Sequence, residues 1–174
     1  ARFGRLDCAL NNAGVDGALA PAGDYVEDER RRVIDINLTG VWLCMRAQIN
    51  AMLTTGGGAI VNVSSALGEV GQYSMPAYVA SKHGVVGLSK AAALDYARRG
   101  IRVNALLPGL VETAMMRQQF ERVPGLRETL LAMEPIGRFA EPREIAEAAA
   151  WLCSDRASYV TGTSVAADGG YCAR

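Results

Sequence analysis

Short runs of consecutive apolar residues alternate along this chain with longer stretches whose apolar residues recur at helical spacing. Such alternation predicts an α/β domain on a parallel sheet. Leu6 to Leu10 is a short strand candidate running into Asn11-Asn12-Ala13-Gly14, where Asn and Gly suit a turn. Glu27 to Leu53 has helical periodicity and stops at Gly56-Gly57-Gly58, which a helix does not readily continue. Ala59 to Val63 is a compact buried strand, and Pro76 to Arg99 a second long helix with Gly100 as its stop. Ile101 to Leu107 is the next strand, ended by Pro108-Gly109. The polar, proline-interrupted stretch Arg117 to Arg138 predicts short helices in a mobile loop. Pro142 to Ser154 is a third helix, and Ser164 to Ala167 a last strand closed by Asp168-Gly169-Gly170.

No repeat, low-complexity tract or linker divides the 174 residues, so the pattern predicts a single domain, 1–174. Half the residues are hydrophobic, enough for a substantial core. Eighteen basic and eighteen acidic residues give zero formal charge and no electrostatic footprint for nucleic acid or an anionic membrane. Cys8, Cys44, Cys153 and Cys172 are scattered, without a CxxC pair or histidine cluster, which argues against structural zinc, any bound metal and a disulfide framework. No apolar run reaches the roughly 18 residues that span a bilayer, and no targeting segment opens the sequence. The expectation is a soluble, cytoplasmic protein.

Tyr78 and Lys82 stand four residues apart, on one face of the predicted helix. A phenol with its reference pKa of about 10 is a poor proton shuttle at neutral pH, and an adjacent ammonium favours the phenolate. With sixteen arginines and only two lysines in the chain, lysine here is a pointed choice, since a compact ammonium does not do the same work as a guanidinium. Ser65 lies at the carboxyl end of the strand Ala59 to Val63, where open parallel sheets place their ligand crevices. Its hydroxyl suits either a turn or a developing oxyanion. Asn37 and Gly40 are both poor helix-interior residues, which predicts a distortion within the helix Glu27 to Leu53.

These residues fall within motifs that resemble, in order and spacing, those of the classical short-chain dehydrogenase/reductase family. The motifs are Asn11-Asn12-Ala13-Gly14, Asn37, Val61-Asn62-Val63-Ser64-Ser65, Tyr78-Val79-Ala80-Ser81-Lys82, Arg102-Val103-Asn104, Pro108-Gly109 and Asp168-Gly169-Gly170. The resemblance implies a Rossmann-like, doubly wound parallel sheet and an NAD- or NADP-dependent interconversion of a carbonyl and a secondary alcohol. It implies that Tyr78 is the general acid/base and that Lys82 lowers its pKa and holds the nicotinamide ribose. It also implies that Ser65 orients the substrate carbonyl and that Asn37 positions a relay water. Asn12, Ala13 and Gly14 resemble the stretch lining the adenosine side of the dinucleotide. Pro108, Gly109, Val111 and Thr113 resemble the one passing the nicotinamide. Ser64, Ser81 and His83 are read as structural.

The family pattern opens with a strand, a glycine-rich turn and a pyrophosphate-binding helix, and this sequence contains none of them. The chain is therefore expected to be the carboxyl-terminal portion of such a domain, lacking the first strands, and on its own to bind dinucleotide poorly and turn over little. It also lacks the residue that chooses between NAD and NADP. The alternative is a non-catalytic module kept for binding or oligomerisation; epimerase or dehydratase chemistry on the same scaffold is a third reading. Residues 110–139 are expected to form the substrate loop, with Met115, Met116, Phe120, Leu126, Leu130 and Met133 as an apolar lining for a moderately hydrophobic ketone or alcohol. A homo-oligomer, dimer or tetramer, is implied by the resemblance. The small residues Ala80, Gly84, Gly87 and Ala91 form a helical stripe that fits either a partner or internal packing.

Overall fold

The computed structural model describes residues 3–173, apart from the side chains of Met115, Gln119 and Arg122. Among the described residues four strands form one sheet: β1 (Cys8–Asn11), β2 (Gly58–Val63), β3 (Ile101–Pro108) and β4 (Ser164–Ala167). They run in sequence order and all pair in parallel, with Cys8 opposite Ala59, Ala59 opposite Arg102 and Ala105 opposite Ser164. Parallel neighbours need long crossovers, and helices supply them. Helices α1 (Glu27–Ile34) and α2 (Gly40–Leu53) link β1 to β2, and α3 (Pro76–Tyr96) links β2 to β3. Between β3 and β4 lie α4 (Ala114–Arg122), α5 (Leu126–Leu131) and α6 (Pro142–Cys153).

Alternation along the strands decides which helices cover which face. Ile60, Ile101 and Val103 pack against Met45, Ile49 and Met52 of α2 and Ala92 and Ala93 of α3. Val61 and Leu106, one residue out of phase, pack instead against Ala149 and Leu152 of α6. Residues Ile60, Val61, Ile101, Val103 and Leu106 are all fully buried, which accounts for the near-continuous apolar strands in the sequence. The domain is thus a helix–sheet–helix sandwich with its strand ends gathered at one edge.

Helix boundaries follow local chemistry. Proline occupies the first turn of α3 and of α6, where its missing N–H costs no helical bond. Past α3 the chain tightens into a 3₁₀ turn over Ala97–Arg99, and Gly100, at φ 75°, takes the left-handed conformation that ends it. A reciprocal cap between Glu141 and Glu144 opens α6, and Arg138 grips Glu144 through two 2.7 Å bonds. That contact, joined by the Glu141 backbone N–H, holds the Glu144 carboxyl down at about 2.

The region expected as one helix over Glu27 to Leu53 is continuous but carries a π turn at Asp35–Thr39. The predicted distortion is this extra residue in the turn, and Asn37 sits inside it with no exposure. β1 starts at Cys8 and not Leu6, and Pro108 belongs to β3, where it pairs with Ala167. Among the described residues no helix is long and apolar enough to cross a membrane.

Candidate active site

The carboxyl ends of β1, β2 and β3 open into one cleft of about 270 Å³ lined by Asn12, Gly14, Asp16, Val63, Ser64, Ser65, Tyr78, Lys82, Pro108, Gly109 and Thr113. Each strand end delivers a short loop there, as the geometry of open parallel sheets dictates. The first turns of α3 carry Tyr78 and Lys82 across the end of β2. Lys82 is only 4% exposed; its Nζ donates to the Val63 carbonyl at 3.1 Å and lies 5.4 Å from the Tyr78 ring centroid. Helix and strand are tied a second time where the Ser64 hydroxyl donates to the Lys82 carbonyl at 2.8 Å.

Ser65 does both things its position allows. Its hydroxyl accepts the Leu67 N–H at 3.1 Å, capping the turn Ala66–Gly68, and it hydrogen bonds the Tyr78 side chain. Of the four groups named from the sequence as the reactive set, Ser65, Tyr78 and Lys82 line one cleft and Asn37 does not.

Burial sets the electrostatics. It pushes the Tyr78 phenol above its ordinary value, against the lowering effect of the Ser65 hydrogen bond, with the Asp16 carboxylate adding to the rise. Burial likewise brings the Lys82 ammonium down to about 8, opposed by Asp16. The sequence-based expectation of a phenol made acidic by Lys82 is thus not met in this state of the protein. Burial disfavours the charged form of both groups, and at Tyr78 the lowering influence is the Ser65 hydrogen bond and not the Lys82 charge. Asp16 was not singled out in the sequence. It belongs to a loop that folds back over the cleft, and only its nearness in space to Tyr78 and Lys82 gives it a role.

Asn37 clamps that loop. Its amide oxygen accepts the Val15 N–H at 2.8 Å, while its amide nitrogen donates to the Val15 carbonyl at 2.8 Å and to the Ser81 hydroxyl at 3.2 Å. Ser81 in turn donates to the Tyr78 carbonyl at 2.7 Å, so Asn37, α3 and the loop after β1 are one hydrogen-bonded unit. A methyl group built on Gly14 would stand 3.4 Å from the Asn37 Oδ1 and 3.5 Å from the Lys82 Nζ, which shows how closely backbone and side chains approach there. On Gly109 it would stand 2.8 Å from the Asp168 backbone, so only glycine lets the loops after β3 and β4 meet.

Of the other residues singled out, Ala13 and Val111 do not line the cleft; Val111 instead bridges to Ala140. The Thr113 hydroxyl does line it while accepting the Met116 N–H at 3.2 Å at the start of α4. His83 is exposed, with its Nδ1 3.0 Å from the Val79 carbonyl oxygen, and the Ser64 and Ser81 hydroxyls bond backbone, as their structural reading implies.

A second, more apolar pocket of about 100 Å³ adjoins the cleft and shares Ser65, Pro108 and Gly109 with it. Leu130 and Met133 line it as expected, but Met116, Phe120 and Leu126 do not, and the Met115 side chain lies outside the described residues. Phe120 stacks on Phe139 at 5.5 Å. The rest of the wall includes Leu67, Gln72 and Met75, in the turn after Ser65, Tyr171, and Leu110 and Glu134 from the segment after β3. Their place just beyond a strand's carboxyl end was the available sequence signal.

The cleft's donor set fits a nicotinamide dinucleotide. Lys82 offers three donors and spends one on Val63, leaving capacity for ligand hydroxyls, and Gly14 and Gly109 bring bare backbone to the cleft wall. Comparison with known proteins agrees. Residues 1–172 match the family model described as enoyl-(acyl carrier protein) reductase. The chain is 50% identical over 174 residues to a 2,5-dichloro-2,5-cyclohexadiene-1,4-diol dehydrogenase of Sphingobium indicum, covering 99% of this chain and 70% of that protein. It is 48% identical over 177 residues to the cis-4-hydroxycyclohexanecarboxylate dehydrogenase of Sinomonas cyclohexanicum, covering 99% and 68%. The solved structure of ElxO with NADP bound superposes with a TM-score of 0.94 at 29% identity, covering 99% of this chain and 70% of that one. A parallel sheet shared with solved relatives, a family model matched over residues 1–172 and 50% identity along nearly the whole chain make this protein a member of the short-chain dehydrogenase/reductase family of NAD(P)-dependent oxidoreductases.

Proposed function

We propose that this chain carries the acid/base and substrate-binding part of an enzyme interconverting a six-membered-ring secondary alcohol and its ketone. The observation that supports this most is the meeting of Tyr78, Ser65 and Lys82 in one cleft beside a small apolar pocket. Bound NAD or NADP supplies the hydride. The Ser65 hydroxyl donates to the substrate oxygen and fixes its place, and the Tyr78 hydroxyl gives that oxygen its proton in reduction or takes it in oxidation. Because burial keeps the phenol protonated at neutral pH, Tyr78 is poised as proton donor. The Lys82 ammonium, beside the ring, stabilises the phenolate left after transfer and offers its free donors to the nicotinamide ribose.

Asn37 completes the set at the relay-water position, and its fixed bonds to Val15 keep the loop wall from moving. Asn12, Gly14, Pro108, Gly109 and Thr113, which line the cleft, would hold the dinucleotide. The substrate class rests on the pocket's size and lining and on the ring alcohols and acids named for the two relatives. The enzyme acts as a homo-oligomer: of the small stripe on α3, Gly84 packs on Leu38, whereas Ala80, Gly87 and Ala91 are exposed.

The test is a turnover panel with the full-length protein, NAD⁺ and NADP⁺, and cyclohexanol, an open-chain secondary alcohol and an aldose as substrates. The expected result is the highest kcat/KM for the ring alcohol, by about tenfold or more, since a misfitting methylene or two is worth ~1–3 kcal/mol. Preference for the aldose overturns the substrate class.

A further inference from the structure

The segment that follows β4 reaches across the strand ends to the turn that follows β2. The Asp168 carboxylate fixes its path, accepting the Gly170 N–H at 3.0 Å and the Cys172 N–H at 2.8 Å, and the chain bends into a 3₁₀ turn over Tyr171–Ala173. Two side chains of that turn then dock on residues far back in the sequence. The Tyr171 hydroxyl donates to the Gln72 Oε1 at 3.4 Å, and the Cys172 Sγ donates to the Ala66 carbonyl at 3.5 Å. Tyr171, Gln72 and Ala66 all line the apolar pocket beside the cleft, so this strap forms one of its walls. The lining comes from the carboxyl ends of β2, β3 and β4 and the segments after them. None of it comes from β1, beside which the first strands of a complete domain are expected.

Among the described residues, four of the pocket's lining side chains are polar: Ser65, Gln72, Glu134 and Tyr171. Ser65 serves the reacting oxygen. Glu134, only 5% exposed, accepts the Leu110 N–H at 3.2 Å and ties down the loop after β3. Tyr171 directs its hydroxyl proton at Gln72, which orients the Gln72 amide: the oxygen is held, and the two N–H donors have no hydrogen-bond partner among the described residues. Gln72 is half-buried, so solvent satisfies those donors until a ring enters the pocket. A ring with no acceptor at that point leaves them unpaired, and a ring with an oxygen there restores the bond.

We propose that Gln72 is a specificity-determining residue whose side-chain amide receives a second oxygen on the substrate ring, so that ring diols and hydroxyketones are preferred over simple ring alcohols. This rests on the ring-alcohol reading above and deepens it. Ser65 and Tyr78 hold the oxygen that reacts, and Gln72 holds the one that does not. An N–H donor is satisfied by a hydroxyl or a carbonyl oxygen alike, and the hydride chemistry is unchanged. Tyr171 is the positioning residue behind the amide.

The experiment measures kcat and KM of the full-length protein and of its Gln72→Leu and Tyr171→Phe variants with dinucleotide and cyclohexanol or cyclohexane-1,2-, 1,3- or 1,4-diol. The expected result is a kcat/KM higher for the best diol than for cyclohexanol by about fivefold or more after allowing for the diol's two reactive hydroxyls. That is the weight of one uncharged hydrogen bond, and it is carried by KM. In Gln72→Leu the ratio falls to about one, and in Tyr171→Phe it falls part of the way. A merely structural defect instead lowers both rates together and leaves the ratio where it was. Cyclohexanol turned over as well as every diol, or a diol advantage that survives Gln72→Leu, overturns the Gln72 subsite alone; an unmoved ratio in Tyr171→Phe overturns the positioning role. Turnover of none of these ring alcohols overturns the ring-alcohol reading and the subsite with it.

Discussion

The pairing of Tyr78 with Lys82 was legible from a four-residue spacing, and Ser65 from its place at a strand end, because both follow from the periods of helix and strand. Their electrostatic state was not, since it depends on burial and on Asp16, and neither is encoded in local spacing. The Lys82 ammonium gives a measurable signature. Its value falls from 10.5 when free to about 8 in the folded protein, so between those values the unfolded chain binds more protons and stability rises with pH. The penalty for burying the charge is complete below pH 8 and is relieved as pH climbs to 10.5. Lys82→Met removes the penalty at all pH values. The stability gap between wild type and variant should therefore move in favour of wild type by on the order of 3 kcal/mol between pH 7 and pH 10.5, read by urea unfolding. A gap that stays level across that range contradicts a buried ammonium.

Among elements, the helices and strands were recovered with end shifts of up to three residues, because apolar runs and Gly or Pro punctuation mark them directly. The π turn at Asp35–Thr39 was visible only as an uncomfortable Asn and Gly in a helical stretch, since the periodicity on either side is unchanged by one inserted residue. That turn has a purpose in the structure: it carries the Asn37 amide to both backbone groups of Val15. In Asn37→Ala those groups lose their partners, with an expected loss of about 2–3 kcal/mol in denaturant unfolding. Hydrogen exchange at the Val15 amide should speed up while exchange in β3 keeps its rank as the slowest. A variant within about 0.5 kcal/mol of wild type, with Val15 still protected, would show that the clamp is idle. The substrate loop was the least legible element. Its methionines and Phe120 looked like pocket lining, yet Phe120 is taken up by Phe139, a contact that depends on how α4 and the segment after α5 pack.

For the whole molecule, the parallel sheet follows from alternating strand and helix patterns, whereas the strand order and the contacts between distant segments were hidden. The contact of Tyr171 with Gln72 was one of these, because nothing local joins the turn after β4 to the turn after β2. The small stripe on α3 left a partner and internal packing equally open; the fold exposes Ala80, Gly87 and Ala91 and buries only the Gly84 contact with Leu38. A side chain at Gly87 meets nothing within 4 Å in the chain. Gly87→Arg should therefore leave the fold intact and lower the mass of the full-length protein in light scattering; an unchanged mass argues against that face as a subunit contact. The proposed reaction depends on one proton passing through one hydroxyl. Full-length protein and its Tyr78→Phe variant, assayed for dinucleotide-coupled turnover of a ring alcohol, separate the outcomes: kcat is expected to drop by about 10²- to 10⁴-fold with dinucleotide affinity retained, and a variant that turns over at the wild-type rate rules out Tyr78 as the proton carrier.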